Sequence, residues 1–221
     1  MLKQFLPSQF FELGRFAHAD LFSPEKPVWQ ALEALSEYLA KQQLGKIEAA
    51  VETGVYLSEP ELISIGRGTV VEAGAYIKGP CIIGKNCQIR HGAYIRGNVI
   101  TGDDCVVGHA TELKNVIFLN GVQAGHFSYV GDSILGNHVN LGAGTKCANL
   151  RLDQKNVPIF YENKRIDSGL RKLGAIIGDG GQLGCNCVTN PGAIIGKGSQ
   201  SHPCMTLTGV VSENHVFRDS F

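Results

Sequence analysis

From residue 63 the chain divides into blocks of six that hold one register: ISIGRG, TVVEAG, AYIKGP, CIIGKN, CQIRHG, AYIRGN, VITGDD, CVVGHA, TELKNV and IFLNGV. The third column reads Ile65, Val71, Ile77, Ile83, Ile89, Ile95, Thr101, Val107, Leu113 and Leu119, branched or apolar at all but one position. The first column is mostly small: Thr69, Ala75, Cys81, Cys87, Ala93, Val99, Cys105 and Thr111. Side chains alternate between the two faces of a strand, so both columns share one face. A turn rich in Gly, Asn or Asp follows each block and bends the chain. Three blocks then close one triangular coil, and successive coils stack with the two columns inside.

The register stumbles between Leu119 and Val130, recovers through LGNHVN and LGAGTK, breaks from about Ala148 to Leu173, and resumes as AIIGDG, GQLGCN, CVTNPG and AIIGKG. An irregular excursion in a regular scaffold loses stacked backbone hydrogen bonds, so it points to function. This one carries Arg151, Lys155, Lys164, Arg165, Arg171 and Lys172 against fewer acids, the local basic cluster that a phosphate-bearing ligand needs, with a solvated loop as the alternative. Upstream, PVWQALEALSEYLAKQQLG places Val28, Leu32, Leu35 and Leu39 on one helical stripe that Gly45 stops, with Trp29 and Tyr38 placed against the first coil. The expected organisation is mainly β: a helical cap over residues 1–57, covering the open end, and a β-helix over 58–221 with its excursion at 148–173.

Bulk composition narrows the function. The 221 residues balance 20 basic against 20 acidic side chains, which removes the electrostatic footprint of a nucleic-acid or anionic-membrane binder. No N-terminal signal or spanning apolar run stands out, so the chain reads as cytoplasmic. The seven cysteines contain no CxxC pair, and Cys81, Cys87, Cys105 and Cys187 fall in the small inward column as packing residues.

A few residues do not serve the scaffold. Arg96 and Lys114 are eighteen apart in the outward fourth column, one coil, so they stack as a candidate phosphate site unless each is solvated independently. Glu112 lies two residues before Lys114. His126, in AGHFSYVGDS, sits where the register slips, and stacking brings a carboxylate, a tyrosine and cations near it. LGAGTK, residues 141–146, has neither the strand nor the helix of a nucleotide-binding loop.

The repeat resembles the hexapeptide-repeat, left-handed parallel β-helix family. Within it, VGHATELKN and QAGHFSYVGDSILGNHVNLGAGTKCANLR resemble the C-terminal acetyltransferase domain of the bifunctional N-acetylglucosamine-1-phosphate uridyltransferase/glucosamine-1-phosphate acetyltransferase. KRIDSGLRKLGAIIGD looks closest to the archaeal-type sugar-1-phosphate nucleotidyltransferases that carry such a domain. The resemblance covers about residues 60 to 215 and is strongest over 106–178.

It implies an acetyl-CoA-dependent N-acetyltransferase acting on an amino-sugar 1-phosphate, glucosamine 1-phosphate, within UDP-N-acetylglucosamine and cell-envelope synthesis. It implies His126 as general base, Glu112 orienting its ring, and Arg96, Lys114 and Lys155 holding the phosphate. Tyr129, Asn140 and Asn149 would bind or position the amino sugar, and Gly142, Ala143 and Cys185 would lie along the coenzyme. Arg90 competes with Arg96 for the phosphate. Leu150, Pro158 and Cys185 depart from the tyrosine, lysine and serine of the bacterial pattern.

A homotrimer with sites between subunits is implied, with no metal. The uridyltransferase half is expected to be missing and supplied by a separate nucleotidyltransferase. Two other readings are a zinc carbonic anhydrase, in which His91 and His109 share a column but a third ligand is not placed, and a non-catalytic regulatory subunit that binds a sugar phosphate.

Overall fold

The computed structural model describes residues 2–218. Its strands stack into a parallel β-helix of three faces, the left-handed hexapeptide solenoid that the repeat implies. The first face is a nine-stranded parallel sheet running from Ala50–Val51 to Val216–Phe217. The second runs from Tyr56–Ser58 to Thr206–Leu207, and the third from Ile63–Ile65 to Val210–Val211. The strands Glu112–Phe118 and Tyr129–Leu135 run unbroken round a corner and fuse the second and third faces into one 14-stranded sheet.

That fusion explains the stumble. Ile95 pairs with Leu113, eighteen residues on, whereas Val99 pairs with Val116, seventeen on. The corner Arg96-Gly97-Asn98 has shrunk to Lys114-Asn115, and on the next coil to Gly131-Asp132. Loss of one residue moves side chains to the opposite face. Phe118, opposite Thr101, therefore points inward, and Leu119 packs outside, correcting its place in the third column.

The inside is apolar, and the small inward column also serves its corners. Thr69 Oγ1 donates to the Gly84 carbonyl at 2.8 Å, Thr111 Oγ1 to Ala124 at 3.0 Å, and Cys105 Sγ to Leu119 at 3.0 Å. Hydroxyls and thiols thus satisfy carbonyls that turn into the core. Burial pushes the Cys81 thiol up to about 12 and that of Cys147 up to about 11, so both stay protonated packing groups.

The third face carries a second apolar layer on its outside: Ile100, Ile117, Ile134, Ile176 and Ile194. The N-terminal segment covers it with Phe5, Phe10, Phe11, Phe22, Trp29 and the buried stripe Ala31, Leu32, Leu35 and Leu39 of the helix Gln30–Ala40. The helix lies against Glu112–Phe118 and Tyr129–Leu135, halfway along the prism, and not over its open end. The isoleucine layer offers this segment an extended apolar face to cover. Trp29 packs on Phe5 with ring centres 5.3 Å apart, and Tyr38 donates its hydroxyl to Asp20 at 2.9 Å beside His18. Neither meets the first coil, which begins at Ile47, opposite Ile65, earlier than the expected boundary at 57.

Side-chain oxygens tie the N-terminal segment to the third corner. Asp103, Asn120, Asn137 and Asp179 each accept the backbone N–H of the preceding coil, at 2.7 to 3.2 Å. Asp179 also accepts from Glu12 N–H at 2.7 Å and from the Asn137 amide at 3.0 Å. Removing its carboxylate orphans several donors, so Asp179→Ala is expected to cost about 2 kcal/mol and to speed proteolysis near residue 12. Thermal melting and limited digestion check this.

The excursion enters at the corner between the second and third faces. It folds as the hairpin Pro158–Tyr161 with Lys164–Asp167, turned through Glu162 and Asn163, both in the left-handed region. Val157 and Ile159 bury against the outer isoleucines, and Pro158 is buried at the hairpin's start.

Candidate acyl-transfer site

The corner between the first and second faces stacks His91, His109, His126, Ala143 and Cys185. The three histidines are not equivalent. His91 Nδ1 lies 2.8 Å from the Ala73 carbonyl, and His109 Nδ1 lies 2.8 Å from that of His91. Their rings stack 5.5 Å apart at 11°. One coil later, the Phe127 backbone N–H takes the His109 carbonyl at 2.8 Å, with Phe127 at φ 52°. Among the described residues His126 therefore has no hydrogen bond through its ring, and it stands exposed beside the half-exposed ring of Phe127. The first two imidazoles bond to corner carbonyls, and the third does not.

The opposite edge of the second face is cationic. Strand pairing puts Lys78, Arg96 and Lys114 on three consecutive coils, around a cleft of about 440 Å³ that also meets Glu59, Asn98, Asn115 and Asp132. Arg96 Nη1 donates to Glu112 Oε1 at 2.7 Å, and its guanidinium lies 5.8 Å over the Tyr94 ring. Lys114 Nζ lies 3.4 Å from both oxygens of the buried Asp132 carboxylate, which also receives the Asn115 and Asn149 amides. Asn149 further donates to the Tyr129 hydroxyl at 3.3 Å. Gly131 makes this possible, since a Cβ there would stand 2.5 Å from the Asn149 amide and 2.6 Å from the Tyr129 oxygen. Burial pushes the Tyr129 phenol above its ordinary range, so it remains an O–H.

The expected site residues thus divide. Glu112, Tyr129, Arg96 and Lys114 share the second face, and His126 lies at its edge. Glu112 does not bond to His126 in this chain, because Arg96 takes its carboxylate across the stack. Asn140 lies on the first face, round the corner, opposite Gln123 and Gln182. Lys155 is exposed on the excursion, its N–H on Asp153, and lines neither the cationic cleft nor the apolar cleft of about 590 Å³ beneath the excursion. Arg90 sits at the first-face edge, bonded to Gln88 at 2.8 Å.

Gly142, Ala143 and Cys185 continue the His126 edge. A Cβ on Gly142 would lie 2.5 Å from the Cys185 nitrogen, so the coils close up there and leave a narrow, small-residue rim. Lys78, Phe127 and Asp132 were not singled out from sequence, although counting eighteen back from Arg96 reaches Lys78. No group of three His, Cys, Asp or Glu side chains suited to a metal occurs among the described residues, and no helix there is long and apolar enough to cross a membrane.

Fold and edges together define a hexapeptide-repeat acyltransferase scaffold. Residues 77–169 match the model of the GMPPB C-terminal domain. The uncharacterized acetyltransferase YaiX of Escherichia coli is 33% identical over 190 residues, covering 81% of this chain and 82% of that one. A bifunctional sugar-1-phosphate nucleotidylyltransferase/acetyltransferase of Sulfurisphaera tokodaii is 40% identical over 109 residues, 49% of this chain. The match spans only 27% of that relative's length. A solved UDP-N-acetylglucosamine acyltransferase of Francisella novicida overlaps 73% of the chain and 62% of its own, at 16% identity and a TM-score of 0.46. The chain belongs to the hexapeptide-repeat acetyltransferase family that includes YaiX.

Proposed function

We propose that the protein transfers the acetyl group of acetyl-CoA to the amine of an amino-sugar 1-phosphate, with glucosamine 1-phosphate as the leading acceptor, supplying N-acetylglucosamine 1-phosphate for UDP-N-acetylglucosamine synthesis. The observation that carries this is the second face itself: an imidazole with both nitrogens uncommitted at one edge and stacked cations at the other. Arg96 leans across toward Glu112, so a phosphate held by Arg96 and Lys114 directs the sugar over Tyr129 toward His126.

The amine, with a pKa of about 8 if an α-amino group is the guide, is partly unprotonated at neutral pH. It attacks the thioester carbonyl, His126 takes its proton, the C–N bond forms and the C–S bond breaks, and coenzyme A leaves as the thiol. The coenzyme's thioester arm lies along the Gly142, Ala143 and Cys185 rim, where a backbone N–H stabilises the oxyanion.

Asn140 and Tyr129 diverge around the edge, so a site that uses both needs a second copy beside it. This supports a homotrimer with sites between subunits.

Coenzyme A release, with product identified by mass, tests the reading on glucosamine 1-phosphate against glucosamine. Phosphate dependence is expected, with Arg96→Ala raising the acceptor KM about 10- to 100-fold, as for a lost charged hydrogen bond. Equal rates with and without the acceptor phosphate would overturn the assignment.

A further inference from the structure

Five of the seven thiols are buried, and the two exposed ones, Cys185 and Cys204, meet at one corner. Leu183 pairs with Ser201, which sets Cys185 beside Pro203 on the next coil and Cys204 one residue further on. The Cys204 backbone N–H donates to the Cys185 carbonyl at 2.7 Å, with Cys204 in the left-handed region at φ 64°. The same corner holds this arrangement once before, where Phe127, at φ 52°, donates its N–H to the His109 carbonyl at 2.8 Å. There the two side chains pack edge to face, with ring centres 5.3 Å apart. These two positions therefore bring their side chains together, and in the later pair both are thiols. Backbones joined by such a bond hold their Cα atoms roughly 5 Å apart, inside the span of about 4.4–6.8 Å that a disulfide bridges. Cys87 and Cys105 also occupy neighbouring coils, but inside the prism, where each Sγ donates to a corner carbonyl, at 3.2 and 3.0 Å.

We infer that Cys185 and Cys204 form a redox modification site, a dithiol that a small-molecule disulfide oxidises to a bridge between neighbouring coils. One thiolate attacks the S–S bond of the reagent, forms a mixed disulfide and releases the first small thiol. The other thiolate attacks the protein-bound sulfur, the mixed S–S bond breaks, and the second small thiol leaves. Two protein thiols have then given two protons and two electrons to the reagent. Cys185 lies on the rim proposed for the thioester arm of the coenzyme, so the bridge closes that edge. This consequence, unlike the bridge itself, rests on that placement. Acetyl transfer releases coenzyme A as a thiol at the same rim, and its disulfide is the oxidant that such a rim recruits.

Treating the intact protein with glutathione disulfide or coenzyme A disulfide, followed by peptide mapping by mass, tests this. The unaltered protein is expected to lose two hydrogens and to yield a peptide pair joining Cys185 to Cys204. The buried thiols of Cys81, Cys87, Cys105, Cys147 and Cys187 should stay reduced. Cys185→Ser and Cys204→Ser should each retain one molecule of the small thiol, because the second thiol that displaces it is gone. Unreacted exposed thiols, two small thiols retained on the unaltered protein, or a bridge between separate chains would each overturn the inference. The bridged protein should transfer acetyl about tenfold more slowly or worse and recover in dithiothreitol, and coenzyme A disulfide should react at least about tenfold faster than glutathione disulfide. A bridge that forms equally fast with both reagents and leaves transfer untouched takes the coenzyme off this rim and upholds the redox site.

Discussion

His126→Ala is expected to lower the rate of acetyl transfer by about 10²- to 10⁴-fold while leaving the fold intact, the range a positioned general base supplies. The expectation rests on the contrast within one stack of histidines. His126 has an exposed ring with no hydrogen bond among the described residues, so its removal orphans nothing and should shift Tm by no more than about 2 °C. His91 and His109 are the matched controls. Each places Nδ1 on a corner carbonyl, so alanine there should cost about 1 kcal/mol of stability and little rate. The acceptor KM should stay within a few fold in His126→Ala, because Arg96 and Lys114 still hold the phosphate. Single-turnover coenzyme A release with saturating acceptor separates chemistry from binding. A variant that keeps half the unaltered rate would remove His126 from the mechanism.

Parts of this arrangement are written plainly in the chain. Stacking at eighteen residues follows from counting, and it places Arg96 beside Lys114 without any structure. The same count reaches Lys78, one coil before Arg96. The diagonal pair is less visible. Arg96 and Glu112 are sixteen apart, two short of a coil, and meet because a long guanidinium leans across the stack. The shortened corners at Lys114-Asn115 and Gly131-Asp132 are also hard to read, because TELKNV and IFLNGV still look like regular blocks. Only the inward turn of Phe118 reveals the lost residue.

The resting place of the N-terminal segment was legible in principle. CII, VIT, SIL and both AII strands carry an apolar residue where other faces put Tyr, Gln or Glu, which marks the third face as covered. Phe5, Phe10, Phe11, Phe16 and Phe22 have no helical or strand period, so nothing local says where they pack. Aromatic area goes where apolar area is waiting, and that is a tertiary fact.

The scaffold's tolerance is narrowest just before that histidine edge, and Gly108→Ala is the substitution expected to damage it most. Gly108 lies one coil from Gly125, and an ideal Cβ would stand 1.7 Å from the Gly125 carbonyl oxygen and 2.2 Å from its carbon. Both are backbone atoms, so no rotamer relieves the clash. The coils must separate where the His109 carbonyl receives Phe127 N–H at 2.8 Å and the Val106 N–H donates to the Val122 carbonyl at 2.8 Å. Overpacking against backbone with loss of ladder bonds belongs among the largest single-residue effects, about 4 kcal/mol or more, which lowers Tm by roughly 10 °C in a chain of this size.

Gly125 supplies the control, since a Cβ there meets nothing within 4 Å. Gly125→Ala should stay within about 0.5 kcal/mol. Melting curves of the two variants decide the matter. A Gly108→Ala protein as stable as Gly125→Ala would mean that neighbouring coils at this corner stand farther apart than the stack requires. The free state of the His126 ring, which depends on Phe127 reaching the His109 carbonyl, would then lose its structural basis.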